Sequence, residues 1–325
     1  MASVIQRDDI DFAAYIRETE AKQKVRAASE YVDDLIDALF NWKKDPCAYL
    51  PWDKTHREFA LRPGEVTLWA GINGHGKSLV TGQVSLSLMG QSEKVCIASF
   101  EMKPRKTLER MARQWHGAAP TTEYDTPDMV AAAKDIYRQF GEWTDRKLWL
   151  YDQQGTVDAD TVLGVARYCA KELGITHMFI DSLMKCVKGE DDYNGQKEFV
   201  DELCALARDC NIHIHLVHHI KKLSSEEQQP GKFDAKGSGS ISDQVDNFIS
   251  VWRNKKKERD AQVGKGVAAD EPDCLLICDK QRNGEWEGRI GLFFDRESQQ
   301  FKGAAGDRVV NFDSWPHRPW AQGDL

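Results

Sequence analysis

GINGHGKS, residues 71–78, constrains this chain more than any other stretch. It fits G-x-x-x-x-G-K-[ST], a pattern that specifies a local fold as well as a ligand. Its backbone N–H groups can wrap phosphates only when a strand enters the loop and a helix leaves it. Both flanks comply. EVTLWAG, 65–71, is apolar and strand-like, and KSLVTGQVSLSLM, 77–89, reads as a helix. In such a loop Gly71, Asn73, Gly74, His75, Gly76 and Leu79 shape the cradle, Lys77 reaches the outer phosphates and Ser78 offers its hydroxyl to Mg²⁺. ATP and Mg²⁺ are the cofactors this pattern predicts.

Beyond the loop, apolar runs alternate with helical ones. KVCIASFEM, KLWLYD, THMFIDS, IHIHLVHH, DNFISVWR, DCLLICDK and GRIGLFFD read as strands; PRKTLERMARQW, VDADTVLGVARYCAKELG and GQKEFVDELCALARDC read as helices. That alternation predicts an α/β fold: a mostly parallel, twisted sheet with helices on both faces. Residues 1–45 read as a short helical arm, with Val32, Leu35, Ile36, Leu39 and Phe40 forming an apolar stripe at helical spacing. Pro46 and Pro51 then break the helix. The expected organisation is an arm and linker over 1–60, a nucleotide-binding domain over 61–303 and an irregular tail over 304–325. The polar, Gly/Ser-rich run 222–240 reads as a mobile loop, and 255–273 as a surface insertion.

Composition narrows the partners. The net charge is −8, so the chain does not coat duplex DNA with its whole surface, and any nucleic-acid contact is confined to a few loops. The eight cysteines include no C-x-x-C pair; they read as reduced thiols of a cytoplasmic protein. No apolar run approaches a membrane span and the N-terminus lacks a signal core, so no membrane contact is expected.

Hydrolysis at a phosphate loop needs two further carboxylates. Asp181, ending the apolar strand THMFIDS, suits the metal side. Glu101, ending KVCIASFEM, suits the base that takes a proton from water; a strand adjacent to that of the phosphate loop would bring it to the γ-phosphate. In HIHLVHHIKK, 213–222, His213 and His215 share a strand face but lack the partners of a metal site. His218 or His219, at the strand end, is placed to sense the γ-phosphate. CDKQRNG, 278–284, sets Lys280 and Arg282 on one face of a strand end, where two cations could stabilise a transferring phosphoryl group.

Taken in order, LRPGEVTLWAGINGHGKS, ASFEM, HMFIDS, HLVHHIKK, KGSGSISDQVDNFISVWRN and CDKQRNG resemble the RecA-like motor domain of DnaB-type replicative helicases, most closely the phage ring helicases and Twinkle. The resemblance implies a P-loop ATPase that forms a homo-oligomer, a hexameric ring, and translocates 5′ to 3′ on single-stranded DNA to open a fork. It implies that Glu101 is the base, that Asp181 and Ser78 serve the metal and that His219 is the γ-phosphate sensor. It further implies that Lys280 and Arg282 reach the ATP of the next subunit, and that Arg253 and Phe294 sandwich the base. The loops 184–196 and 221–240 would line the pore, with Lys232, Lys236, Gly237, Ser238 and Gly239 touching DNA phosphates. The roughly 60 residues before the motor are too few for a primase domain, so priming is not expected. A loader, primase or polymerase would be the replisome partner, and the tail with Trp315 and Trp320 is a candidate contact. Two other readings share the core: a RecA/RadA-like recombination ATPase that forms filaments on single-stranded DNA, and a nucleotide-switched regulator or loader.

Overall fold

The computed structural model describes residues 3–5, 28–33, 36, 40, 47–120, 126–189, 191–221, 225, 227–236 and 239–312. The strands are β1 Ser3–Ile5, β2 Val66–Gly71, β3 Val95–Ser99, β4 Leu148–Tyr151, β5 His177–Asp181, β6 His213–His219, β7 Asn247–Arg253, β8 Cys274–Gln281, β9 Gly288–Phe294 and β10 Phe301–Lys302. They form one sheet in the order β1-β4-β3-β5-β6-β2-β7-β8-β9-β10. The pairs from β1 to β7 are parallel, and the last three are antiparallel. The helices are α1 Lys77–Gly90, α2 Pro104–His116, α3 Pro127–Trp143, α4 Ala159–Tyr168, α5 Tyr193–Cys210, α6 Ser240–Gln244 and α7 Lys255–Gln262.

Parallel strands covered on both faces read as unbroken apolar runs, and β2 and β3 are buried at every residue. Successive side chains divide between two cores. Val66, Leu68 and Ala70 join the residues of α4 and α5 on one face. Trp69 joins Val84, Met111 and Phe140, from α1, α2 and α3, on the other. Cys274 and Cys278 sit in this second core as free, buried thiols.

Four segments differ from the reading of the sequence. Ser3–Ile5, expected as helix, is a strand that pairs with β4 and so continues the peptide hydrogen bonding of that edge. Residues 48–61, read as linker, are bound in by the Ala48–Leu61 bridge and bury Leu50, Trp52 and Phe59 in the second core. The surface insertion opens as α7, capped by Asn254, whose side chain accepts from the Lys257 amide at 3.0 Å. The pore loop expected over 184–196 is shorter, because α5 already begins at Tyr193, with Asp192 accepting from the Gly195 amide at 3.0 Å. In the arm, Val32, Ile36 and Phe40 are exposed, one above another at helical spacing; Leu35, Leu39, Trp315 and Trp320 lie outside the described residues.

Candidate functional site

β2 delivers the phosphate loop at the carboxyl edge of the sheet. Gly76, at φ 90°, occupies the left-handed region that favours glycine and caps α1 with no side-chain hydrogen bond, so the helix N-terminus faces outward bare. At Gly71 a Cβ would meet the Val251 carbonyl oxygen at 2.6 Å, so only glycine lets β2 and β7 close up here. Lys77 folds back over the loop, donating to the Gly71 carbonyl at 2.8 Å and the Ile72 carbonyl at 3.1 Å. Burial pushes its ammonium down to about 8, against the attraction of Asp181 and Glu101.

The neighbouring strand ends complete the group. Ser78 Oγ donates to Asp181 Oδ2 at 3.0 Å. Burial raises the Asp181 carboxyl, the Ser78 hydrogen bond opposes this, and nearby Glu101 raises it further. A buried hydroxyl–carboxylate pair with such a carboxyl fits a divalent cation, whose charge would replace the lost solvation. Glu101 lies two residues past β3. That strand is separated from β2 by β5 and β6 rather than adjacent to it, so the overhang carries the carboxylate inward. Its Oε1 accepts from Ser182 Oγ at 3.3 Å and lies 3.8 Å from His219 Nε2. Burial and nearby Lys77 lower the His219 imidazole, while Glu101 raises it.

The two strand-end histidines separate clearly. His219 faces a cleft of about 750 Å³ lined also by Asn73, Glu101, Lys185, Lys188 and Lys236. His218 is fully buried on the other side, its Nε2 2.5 Å from the Lys236 carbonyl, and burial lowers it to about 4. His213 and His215 join His177 in a buried cluster: His177 Nδ1 lies 3.1 Å from His215 Nε2, Trp69 Nε1 donates to His215 Nδ1 at 3.1 Å, and the Phe179 ring stacks on His215 at 3.9 Å. Among the described residues no three metal-ligating side chains converge.

Arg253 and Phe294 part company. The Arg253 amide donates to His75 Nδ1 at 3.1 Å, and its guanidinium reaches the Gly74 carbonyl at 3.4 Å and pairs with Glu258. Phe294 instead packs on Phe301 at 5.0 Å. It is Phe301, which no sequence motif marks, that lies 3.5 Å from where a Gly76 Cβ would sit. Buried Gln83 of α1 fixes Phe301 in place, accepting its amide at 2.7 Å and donating to its carbonyl at 2.9 Å.

Lys280 and Arg282 stand elsewhere. Lys280 Nζ donates to the carbonyls of Ser242 at 3.0 Å and Asp243 at 2.7 Å, at the end of α6. Arg282 pairs with buried Asp246 at 3.3 Å, and its amide donates to the Asp246 carbonyl at 2.9 Å. Asp246 in turn accepts the amide of Val66, the first residue of β2, at 2.9 Å. Arg282 is therefore level with the start of β2, while the phosphate loop follows its end. Five strand residues at about 3.3 Å separate the two by about 16 Å.

Of the residues expected to touch DNA, Lys232 opens a 3₁₀ turn, Lys232–Asp234, and Gly239 precedes α6. Gly237 and Ser238 lie outside the described residues.

A family model described as "DnaB-like helicase C terminal domain" matches residues 56–303. Two solved structures are similar. One, the ATPase domain of a phage helicase, has a TM-score of 0.70 at 16% identity, covering 86% of this chain and 99% of its own. The other, titled "The Structure Of A DnaB-Like Replicative Helicase And Its Interactions With Primase", has a TM-score of 0.69 at 15% identity, covering 86% of this chain and 67% of its own.

Proposed function

Because this chain belongs to the DnaB-like helicase C-terminal domain family and is an ATP-hydrolysing helicase, we propose that it acts at replication forks as a ring of identical subunits, a hexamer. It would move 5′ to 3′ along one strand and exclude the other. The observation that carries this reading is the division of the chemistry between two edges of one sheet. Lys77, Ser78, Asp181, Glu101 and His219 gather at one edge, and Lys280 and Arg282 stand at the other, about 16 Å away. A cation there serves the phosphates of a neighbouring copy rather than its own.

In this reading Lys77 and the amides opening α1 hold the phosphates of ATP, and Ser78 and Asp181 are the side chains placed to hold Mg²⁺. When bound, Mg²⁺ supplies positive charge shared across the phosphate oxygens. Glu101 accepts the proton of the attacking water. Arg282 and Lys280 of the adjacent copy stabilise charge on the transferring group. His219 meets the γ-phosphate at the head of the chain segment that leads to Lys232 and Lys236, so nucleotide state and DNA contact share one strand end. Contacts to phosphates alone carry no sequence information, and binding is therefore nonspecific and salt-sensitive.

The exposed stripe Val32, Ile36 and Phe40 suits docking of the arm on the next subunit. A primase, polymerase or loader completes the proposed assembly. No helix among the described residues is long and apolar enough to cross a membrane, and the work belongs in the cytoplasm, beside the DNA.

Forked duplexes carrying a 5′ tail, a 3′ tail or both test the proposal, with Lys77→Ala as the blank. ATP-dependent strand separation that requires the 5′ tail supports it. Turnover stimulated by single-stranded DNA without separation, together with filaments by electron microscopy, would move the chain to the recombination reading.

A further inference from the structure

We infer that Phe233 is a base-stacking residue: the loop between β6 and α6 binds the nucleobases of single-stranded DNA as well as its phosphates. This rests on the reading of that loop as a DNA surface and adds a second chemistry to it. Phe233 is 81% exposed, more than any other large apolar residue described. Phe100, Phe179, Phe199 and Phe248, by contrast, are all buried in the cores. The exposed ring serves neither core.

The turn that presents it is fastened on several sides. The Lys221 amide donates to the Asp234 carbonyl at 2.8 Å, and the Lys236 amide to the His219 carbonyl at 3.0 Å. The Gly231 amide donates to Asp234 Oδ2 at 2.9 Å. Ile220 and Ala235 form a bridge, and the Lys232 amide donates to the Asp279 carboxylate of β8. A ring held outward on so constrained a turn loses little freedom when it meets a flat partner.

The surroundings select the partner. Lys232 Nζ lies 5.5 Å from the centre of the Phe233 ring, and Lys185, Lys188, Lys221 and Lys236 line the adjoining cleft. The cations suit a polyanion and the ring suits a π-face. Single-stranded DNA offers both, and stacking tolerates any base. The ring follows by a few residues the strand end that carries His219, so a change at the nucleotide site has a short path to a stacked base.

The test is fluorescence anisotropy of the assembled protein, with a non-hydrolysable ATP analogue, across a salt series. The probes are oligothymidylate, oligodeoxyadenylate and an abasic phosphodiester oligomer of equal length. Phe233→Ala should weaken both base-bearing oligomers by about 5- to 150-fold, leave the abasic oligomer unchanged and leave the salt slope unchanged, because stacking releases no counterions. Phe233→Trp should restore affinity. Lys232→Ala and Lys236→Ala should instead lower the slope by about 0.7 for each phosphate no longer neutralised. Melting temperatures matching wild type show that the variants are folded. An equal loss on abasic DNA overturns the inference, as does no loss with Phe233→Ala while the lysine variants bind less tightly. If neither ring nor lysines matter, the reading of the loop as a DNA surface falls with it.

Discussion

Mixing two inactive variants locates the work of Arg282. Lys77→Ala removes the ammonium beside the phosphates, and Arg282→Ala removes the guanidinium about 16 Å away along β2. An arginine supplied to a transferring phosphoryl group raises turnover by about 10³- to 10⁵-fold, so each variant alone should be nearly inert. The separation exceeds the reach of one side chain, so each finger serves the neighbouring copy across a head-to-tail interface. When equal amounts of the two variants assemble together, an interface is whole only where an intact Lys77 from one chain meets an intact Arg282 from the other. Half of the loops and half of the fingers are intact, so about a quarter of the interfaces are complete. Single-turnover hydrolysis of bound ATP should therefore recover to about a quarter of wild type, with its maximum near equal mixing. Differently tagged chains that co-purify establish that the rings are mixed. Hydrolysis that stays at the level of the parents at every ratio refutes the trans assignment.

Three further outcomes follow from buried polar groups. His177, His213 and His215 are held neutral by burial, so their stabilisation is complete above the unfolded value near 6.5 and is lost as pH falls below it. Urea unfolding should lose up to about 4 kcal/mol per pH unit there, and equal stability at pH 7.5 and 5.5 would contradict it. Lys77, at about 8 in the nucleotide-free protein, should be fully charged once it faces phosphates, so nucleotide binding at pH 8 takes up about half a proton; calorimetry in buffers of different ionisation heat reads this directly, and identical heats would exclude it. Gln83→Ala should cost about 2–3 kcal/mol, because it leaves the buried Phe301 amide unsatisfied, and should also weaken nucleotide binding, since Phe301 backs Gly76; a variant unchanged in both respects would show that the clamp is incidental.

The nucleotide half of the site was legible because its signals are local. A glycine loop between a strand and a helix, and acids at the ends of apolar strands, place Lys77, Ser78, Glu101 and Asp181 at one sheet edge once the strands are parallel. What escaped depends on side chains distant in sequence. Gln83, Gln114 and Gln300 look like surface residues in any window, yet all three are buried. Gln114 donates to the carbonyls of Leu79 and Gln299, and Gln300 to that of Gln114, so α1, α2 and the strand carrying Phe301 are joined by amides alone. Phe294 and Phe301 are equally apolar, and only the fold decides which backs the phosphate loop. α3 had readable signals, with Thr126 as cap and Pro127 in the first turn, but its buried face is narrow and gave a weak period. Ser3–Ile5 forms a strand because an edge is there to receive it, which its own three residues do not encode.

The anchoring of the finger strand shows why the two halves of the chemistry keep their distance. Asp246 binds Arg282, Arg208 and the Val66 amide. Glu65, also buried, accepts from Asn247 at 2.8 Å and from Asn283 at 2.7 Å. Gln281 donates to the Glu58 carbonyl at 2.9 Å. The residues between and around the two cations are thus tied to the residues that open β2, the strand that ends in the phosphate loop. A buried carboxylate stripped of such partners is costly, so this end of the sheet cannot slide without losing several bonds together. The span from finger to loop is set by the length of one fully buried strand, and that strand has no freedom to stretch. A ring built from such subunits can change the fit of a finger to its neighbour's ATP only by moving whole subunits against one another, and the turn bearing Phe233, fastened to β6 and β8, moves with them.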